Sequence, residues 1–189
     1  MILVVKDNNH YYMATNAYFS GVDKSLDSND AIDEDNINIF FNPDSKALIG
    51  SGWSNIHFDI LKYHPKSFAM DIHPLNLKLA VDKLNEMEKD YGVSYLSDED
   101  APNMVFIQGE DAFQVSNNKM VVELNDVDII SDGYENCVEL KVLYQSNNNP
   151  IIIERIKESI VKYCEYRRVK AFPIVIYDSL NGNRIVIDQ

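Results

Sequence analysis

The chain has 189 residues, 46% of them apolar and 11% aromatic, and a formal net charge of −13. This length suits a single domain over residues 1–189 with a sizeable core, and the composition excludes a chain that is disordered throughout. The acidic balance argues against nucleic acid and against an anionic membrane surface, since both require a basic face.

No apolar run approaches the roughly 18 residues that cross a bilayer. No basic segment followed by an apolar stretch heads the sequence, so a cytoplasmic protein is expected. Ile2 to Lys6 reads as a strand, Asp7-Asn8-Asn9 as a tight turn, and His10 to Asn16 as a second strand. Residues 17–36 are polar and acidic, a long surface excursion. They are rich in oxygen ligands but lack the regular spacing and turn glycine of a calcium loop, which leaves cation binding there open. Asn36 to Asn42 and Lys46 to Gly50 form the next predicted hairpin, turned at Asn42-Pro43-Asp44-Ser45.

Gly50-Ser51-Gly52 opens a predicted helix with Trp53, Ile56, Ile60 and Tyr63 on one face, stopped by Pro65. A second begins near Pro74 and carries Leu77, Val81, Leu84, Met87 and Tyr91 at helical spacing until Gly92. Met104 to Gly109, Ala112 to Val115, Met120 to Leu124 and Val127 to Ser131 read as short strands. A third helix starts in the Gly133 region with Tyr134, Cys137, Val138 and Leu143 as its apolar residues. A fourth runs from Pro150 to about Arg168 on the stripe Ile152, Ile153, Ile156, Ile160, Tyr163 and Cys164. Pro173 to Asp178 and Arg184 to Asp188 close the chain as a hairpin turned at Asn181-Gly182-Asn183.

Strands in hairpins with helices grouped between them favour antiparallel sheets over βαβ units. Two sheets and two helix layers use every apolar stripe: an α+β, four-layer αββα sandwich, sheet against sheet, helices outside. Leu3, Val5, Phe106 and Val175 are expected between the sheets; the alternative is a two-layer α+β domain.

Catalytic and ligand-binding patterns are scarce. His57 and His64 sit seven apart and His73 precedes a proline, with no Cys or carboxylate at zinc spacing. Cys137 and Cys164 fall on apolar stripes and read as buried free thiols. The seven glycines form no phosphate-binding loop, so no cofactor and no metal is expected.

The N-terminal segment Ile2-Leu3-Val4-Val5-Lys6-Asp7-Asn8-Asn9-His10-Tyr11-Tyr12-Met13-Ala14 resembles the start of the proteasome β-type subunits and of the related bacterial peptidase that works with an unfoldase. These are N-terminal-nucleophile hydrolases, with a nucleophilic Thr ahead of an apolar strand, a polar turn, a second strand and an Asp. In this alignment Asn16 falls on the Asp. The interval Asn38 to Gly50 matches the family's step from a catalytic Lys to a Gly-containing turn, so Asn38 stands at the Lys. Ser131-Asp132-Gly133 occupies the place of a Gly-Ser-Gly loop, with Asp132 for the Ser.

The resemblance implies the αββα fold and a degenerate site at Met1, Asn16, Asn38 and Asp132. The family mechanism needs a hydroxyl or thiol on the residue that carries the free α-amine, and Met1 has neither. Asn38 brings no ammonium to lower an amine pKa, Asn16 is an amide where a carboxylate belongs, and Asp132 adds negative charge where an oxyanion would form. Read without the family, Asn16 and Asn38 are a strand end and a turn neighbour, and Asp132 a helix cap.

The implied function is a non-catalytic structural, assembly or peptide-binding role. The alternative is an active peptidase or amide hydrolase with a processed N-terminus, for example at Thr15 or Ser20, or with a relocated nucleophile. The resemblance also implies a homo-oligomer joined by outer helices and loops, with Tyr63, Tyr95 and Tyr144 as contact aromatics. A peptide or an unfoldase-type protein is the implied partner.

Overall fold

The computed structural model describes residues 2–16, 39–43, 46–51, 104–115, 121–130, 138–168 and 170–189. The helices expected over residues 52–91, the acidic segment 17–36 and Cys137 lie outside the described residues, as do Tyr63 and Tyr95.

Among the described residues, ten strands and two helices follow in the expected order. They are β1 (Ile2–Asp7), β2 (His10–Asn16), β3 (Ile39–Asn42), β4 (Ala47–Ser51), β5 (Met104–Gln108), β6 (Asp111–Val115), β7 (Val121–Glu123) and β8 (Val127–Ile130). Then come α1 (Val138–Ser146), α2 (Ile152–Arg167), β9 (Ile174–Asp178) and β10 (Arg184–Ile187). The first sheet has the order β10-β9-β2-β1-β8 and the second β3-β4-β5-β6-β7. Every pairing is antiparallel.

Turn chemistry sets the registers. Asn8 adopts a left-handed φ of 53° between β1 and β2, a conformation Asn tolerates better than most residues. The β9–β10 turn is a bulge built on Gly182, at φ 70°. The Gly182 N–H donates to the Asp178 carbonyl at 2.9 Å, and the Asp178 N–H donates to the Asn183 carbonyl at 3.0 Å. A Cβ on Gly182 would also lie 2.3 Å from the Phe41 ring, so both backbone and space require glycine.

Two cores flank the first sheet. Ile2, Val4, Tyr11, Met13, Ile39, Leu48, Val105, Ile107, Ala112, Leu124 and Val175 form the one between the sheets. Leu3, Val5, Ala14, Ile174 and Ile176 meet Leu140, Tyr144, Ile156, Ile160, Tyr163 and Cys164 of the helices in the other. On the other face of the second sheet, Ile49 and Phe106 are also buried.

Three sequence expectations are corrected. Leu3 and Val5 face the helices, and Ile2 and Val4 face the second sheet. Phe106 likewise stands on the opposite face from Val105 and Ile107, and only Val175 is between the sheets as expected. A strand buried on both faces carries no polar alternation, so its sequence does not reveal which parity points which way. Tyr144 is not an exposed contact aromatic: it is 3% exposed, with the Arg155 guanidinium 4.2 Å from its ring centroid. Val138, expected on the apolar stripe, is 55% exposed, because the buried face of α1 runs through Leu140 and Tyr144.

On α2 the expected stripe is confirmed, with Ile156, Ile160, Tyr163 and Cys164 buried. Its N-cap, Ile151, has no capping side chain, but Asn149 Oδ1 accepts the Ile151 N–H at 3.0 Å. Arg168 ends the helix in the left-handed conformation.

Candidate functional site

One corner of the sandwich gathers the ends of β2, β4 and β8 and the starts of β1, β3 and β9. At the head of β1, Ile2 lies opposite Ile130, the last residue of β8. Since Leu3 pairs with Ala14, β2 runs out at Asn16 at this same end of the sheet. Asn16 in turn pairs with Ile174, the first residue of β9. Across the inter-sheet core, Gly50 near the end of β4 pairs with Ile39, the first residue of β3. Gly50 comes so close to the first sheet that an added Cβ would lie 2.5 Å from Met13 Sδ and 3.0 Å from Ile2 Cδ1.

Of the four expected site residues, Asn16 is described; Met1, Asn38 and Asp132 lie outside the described residues. Ile2 and Ile39, the residues that follow Met1 and Asn38, and Ile130, two residues before Asp132, begin or end strands at this corner. Asn16 is half-buried and its Nδ2 donates to the Lys170 carbonyl at 3.3 Å, tying β2 to the segment ahead of β9. An amide can make that tie; a carboxylate, having no donor, could not.

Thr15 enters the sequence reading only as a processing point. Alternation from Met13 turns its side chain toward the second sheet at this corner, where it is 6% exposed. Its hydroxyl donates to the Asn16 carbonyl at 3.1 Å. Ser20 lies outside the described residues.

Other reactive groups sit elsewhere and are held by the fold. Cys164 is a fully buried free thiol on α2, and burial pushes its pKa up to about 11. That thiol is protonated at neutral pH. At the opposite end of the first sheet, His10 Nε2 is 3.8 Å from Asp178 Oδ1, and Ser179 is buried next to it in the chain. Ser179 Oγ accepts the Tyr11 N–H at 2.8 Å while its own N–H donates to the Tyr11 carbonyl at 2.9 Å. These bonds extend the β2–β9 ladder, so Ser179 serves the sheet. Burial and the nearby carboxylates Asp178 and Asp7 hold the Tyr12 hydroxyl above its ordinary pKa.

Among the described residues, no three His, Cys, Asp or Glu side chains converge as a metal site requires. No helix among them is long and apolar enough to cross a membrane.

No family model and no curated protein sequence matches this chain. Solved structures do match along nearly its whole length. The BPH protein of Thiobacillus denitrificans superposes with a TM-score of 0.63 at 13% identity, covering 99% of this chain and 97% of that one. The eukaryotic HslV from Trypanosoma brucei gives 0.58 at 9% identity over 94% and 97% of the two chains. Anbu, an ancestral β-subunit from Yersinia bercovieri, gives 0.63 at 9% identity over 100% and 87%. Identities this low speak for architecture alone. With two antiparallel sheets face to face and helices packed on the outside, the chain has the fold of the proteasome-related N-terminal-nucleophile hydrolases.

Proposed function

We propose that this protein is a non-catalytic member of the proteasome-like architecture, with a structural, assembly or peptide-binding role in the cytoplasm. The observation that carries the reading is Asn16. At the position aligned with the family's orienting Asp, this chain has a neutral amide whose nitrogen donates to the Lys170 carbonyl as a strand tie. The residue types at the other aligned positions agree. Asn38 has no ammonium, and Asp132 has a charge that opposes an oxyanion. The protein acts as a homo-oligomer, and its partners are peptides or an unfoldase-type protein.

Processing at Thr15 to create a nucleophile is disfavoured by the fold. It would remove β1, which is paired on both sides, by β2 and β8, and whose residues Ile2 to Val5 are at most 2% exposed.

Intact-mass measurement together with fluorogenic-peptide turnover tests the proposal. The expected result is a chain that retains Met1 and shows no turnover above a heat-denatured control. Turnover abolished by a single Ser, Thr or Cys substitution would establish the alternative, an active hydrolase.

A further inference from the structure

Of the seven glycines in the chain, Gly182 alone follows an asparagine. An Asn-Gly step is open to a reaction of the chain with itself, because no Cβ beside the glycine nitrogen keeps it from the asparagine Cγ. Asn181 is exposed in the β9–β10 turn, where solvent supplies the water and base that such a reaction needs.

The fold engages both reacting groups. The Gly182 nitrogen is the nucleophile, and its N–H is donated to the Asp178 carbonyl at 2.9 Å, which shields the proton from a solvent base. Asn181 Oδ1 accepts the Asn183 N–H at 2.8 Å, a donor placed on the oxygen that gains negative charge when Cγ is attacked. The electrophile is primed and the nucleophile is masked. Two further contacts hold the mask: Asp178 Oδ1 accepts the Leu180 N–H at 2.9 Å, and the Phe41 ring lies against Gly182. Unmasking needs only the turn to open, and among the described strands β10 is bonded to β9 alone.

We propose that Asn181 is a deamidation site gated by the β9–β10 turn. When the Gly182 N–H leaves the Asp178 carbonyl, hydroxide removes its proton and the nitrogen bonds to Asn181 Cγ. The Cγ–Nδ2 bond breaks, and Nδ2 takes a proton from water and departs as ammonia. Water then opens the cyclic imide. Attack at Cγ gives aspartate on the original backbone; attack at the main-chain carbonyl carbon of residue 181 gives isoaspartate, whose backbone is one methylene longer. Either product adds a negative charge to a chain already at −13. The longer backbone cannot keep Gly182 in its bulge at φ 70°, so the isoaspartate form loosens β10. This site goes beyond the proposed function and is independent of whether the chain catalyses anything.

Peptide mapping by mass spectrometry tests the site. The intact protein is incubated at mildly alkaline pH in buffer and, in parallel, in urea that unfolds it, until the urea sample has converted. Deamidation exchanges NH2 for OH, and an endoproteinase that cuts before aspartate and not before isoaspartate separates the two products. In urea, Asn181 is expected to convert faster than every other asparagine. In the folded protein it is expected to convert at least about tenfold more slowly, in proportion to the fraction of time the turn is open. Phe41→Ala and Asp178→Ala each loosen the turn and leave the Asn-Gly step intact, and each is expected to speed conversion in the folded chain several-fold. Circular dichroism confirms that the variants are folded; should Phe41→Ala unfold, Asp178→Ala decides.

Conversion in urea led by another asparagine overturns the proposal. So do equal rates in the folded and unfolded chains, or folded variants that convert no faster than wild type. Peptide turnover is read in a separate assay, so this proposal and the proposed function fail separately.

Discussion

The carboxylate of Glu158 on α2 is held by the side-chain amides of Asn147, at 2.8 Å, and Asn149, at 2.9 Å, which clamps the loop between the two helices to the second helix. Asn149 Oδ1 also accepts the Ile151 N–H, and Asn147 Oδ1 the Asn149 N–H. Arg155 adds a bond from Nε to the Tyr144 carbonyl at 2.9 Å. The amide donors, Asn147 first, lower the Glu158 pKa from its ordinary value.

A lowered carboxyl pKa means the fold favours the charged form. The clamp is therefore complete above the pKa of an unfolded glutamate and is lost as pH falls through the lower folded value. Asn147→Ala is expected to reduce the melting temperature by a few degrees at pH 7, with the gap to wild type closing in acid. Melting curves from pH 7 down to the acid limit of folding check this; a gap that stays constant or widens in acid contradicts the clamp.

Gly50→Ala is expected to destabilise the protein by about 1–3 kcal/mol, the usual range for overpacking a filled core. The new methyl group would meet Met13 Sδ and Ile2 Cδ1, both on side chains with no exposed surface. Adding Met13→Val should recover part of the loss by clearing the nearer of the two. Urea denaturation of the single and double variants measures both effects.

Ile160→Ala removes a side chain with no exposed surface where α2 packs on the first sheet. The expected cost is about 2–5 kcal/mol, from lost burial and the cavity left behind. Replacing the 54%-exposed Val142 by Ala should change stability by less than about 0.5 kcal/mol. Chemical denaturation of the two variants side by side reads the contrast between the buried and outer helix faces.

Cys164, with its thiol pushed up to about 11 by burial, is expected to resist thiol-specific reagents at pH 8 in the folded protein. In a Cys137→Ser background, its labelling should follow global unfolding and accelerate with denaturant. Labelling at the rate of a free thiol in buffer would show that the α2 core opens locally.

Much of the architecture was legible because local rules agreed with the global fold. His10 to Asn16 is a strand with the expected bounds, and the α2 stripe is buried where helical spacing puts it. The final hairpin turns at Asn181-Gly182-Asn183, where a bulge needs a residue that tolerates positive φ.

Other features depend on what each element packs against, which no local pattern records. In β1, residues Ile2 to Val5 are apolar on both faces, so the sequence defines a buried strand and only the two neighbouring layers decide that Val4 meets a sheet and Val5 a helix. Tyr144 reads equally well as a surface contact or a core ring, until Arg155 stacks on it and α2 covers it. At the candidate site, the sequence determines which chemical groups are present, an amide at Asn16 among them. Tertiary structure decides that this amide bonds to the Lys170 carbonyl, 154 residues further along the chain. Contacts so distant are made by strand pairing and sheet stacking, whose free energy belongs to the assembled layers and to no single segment.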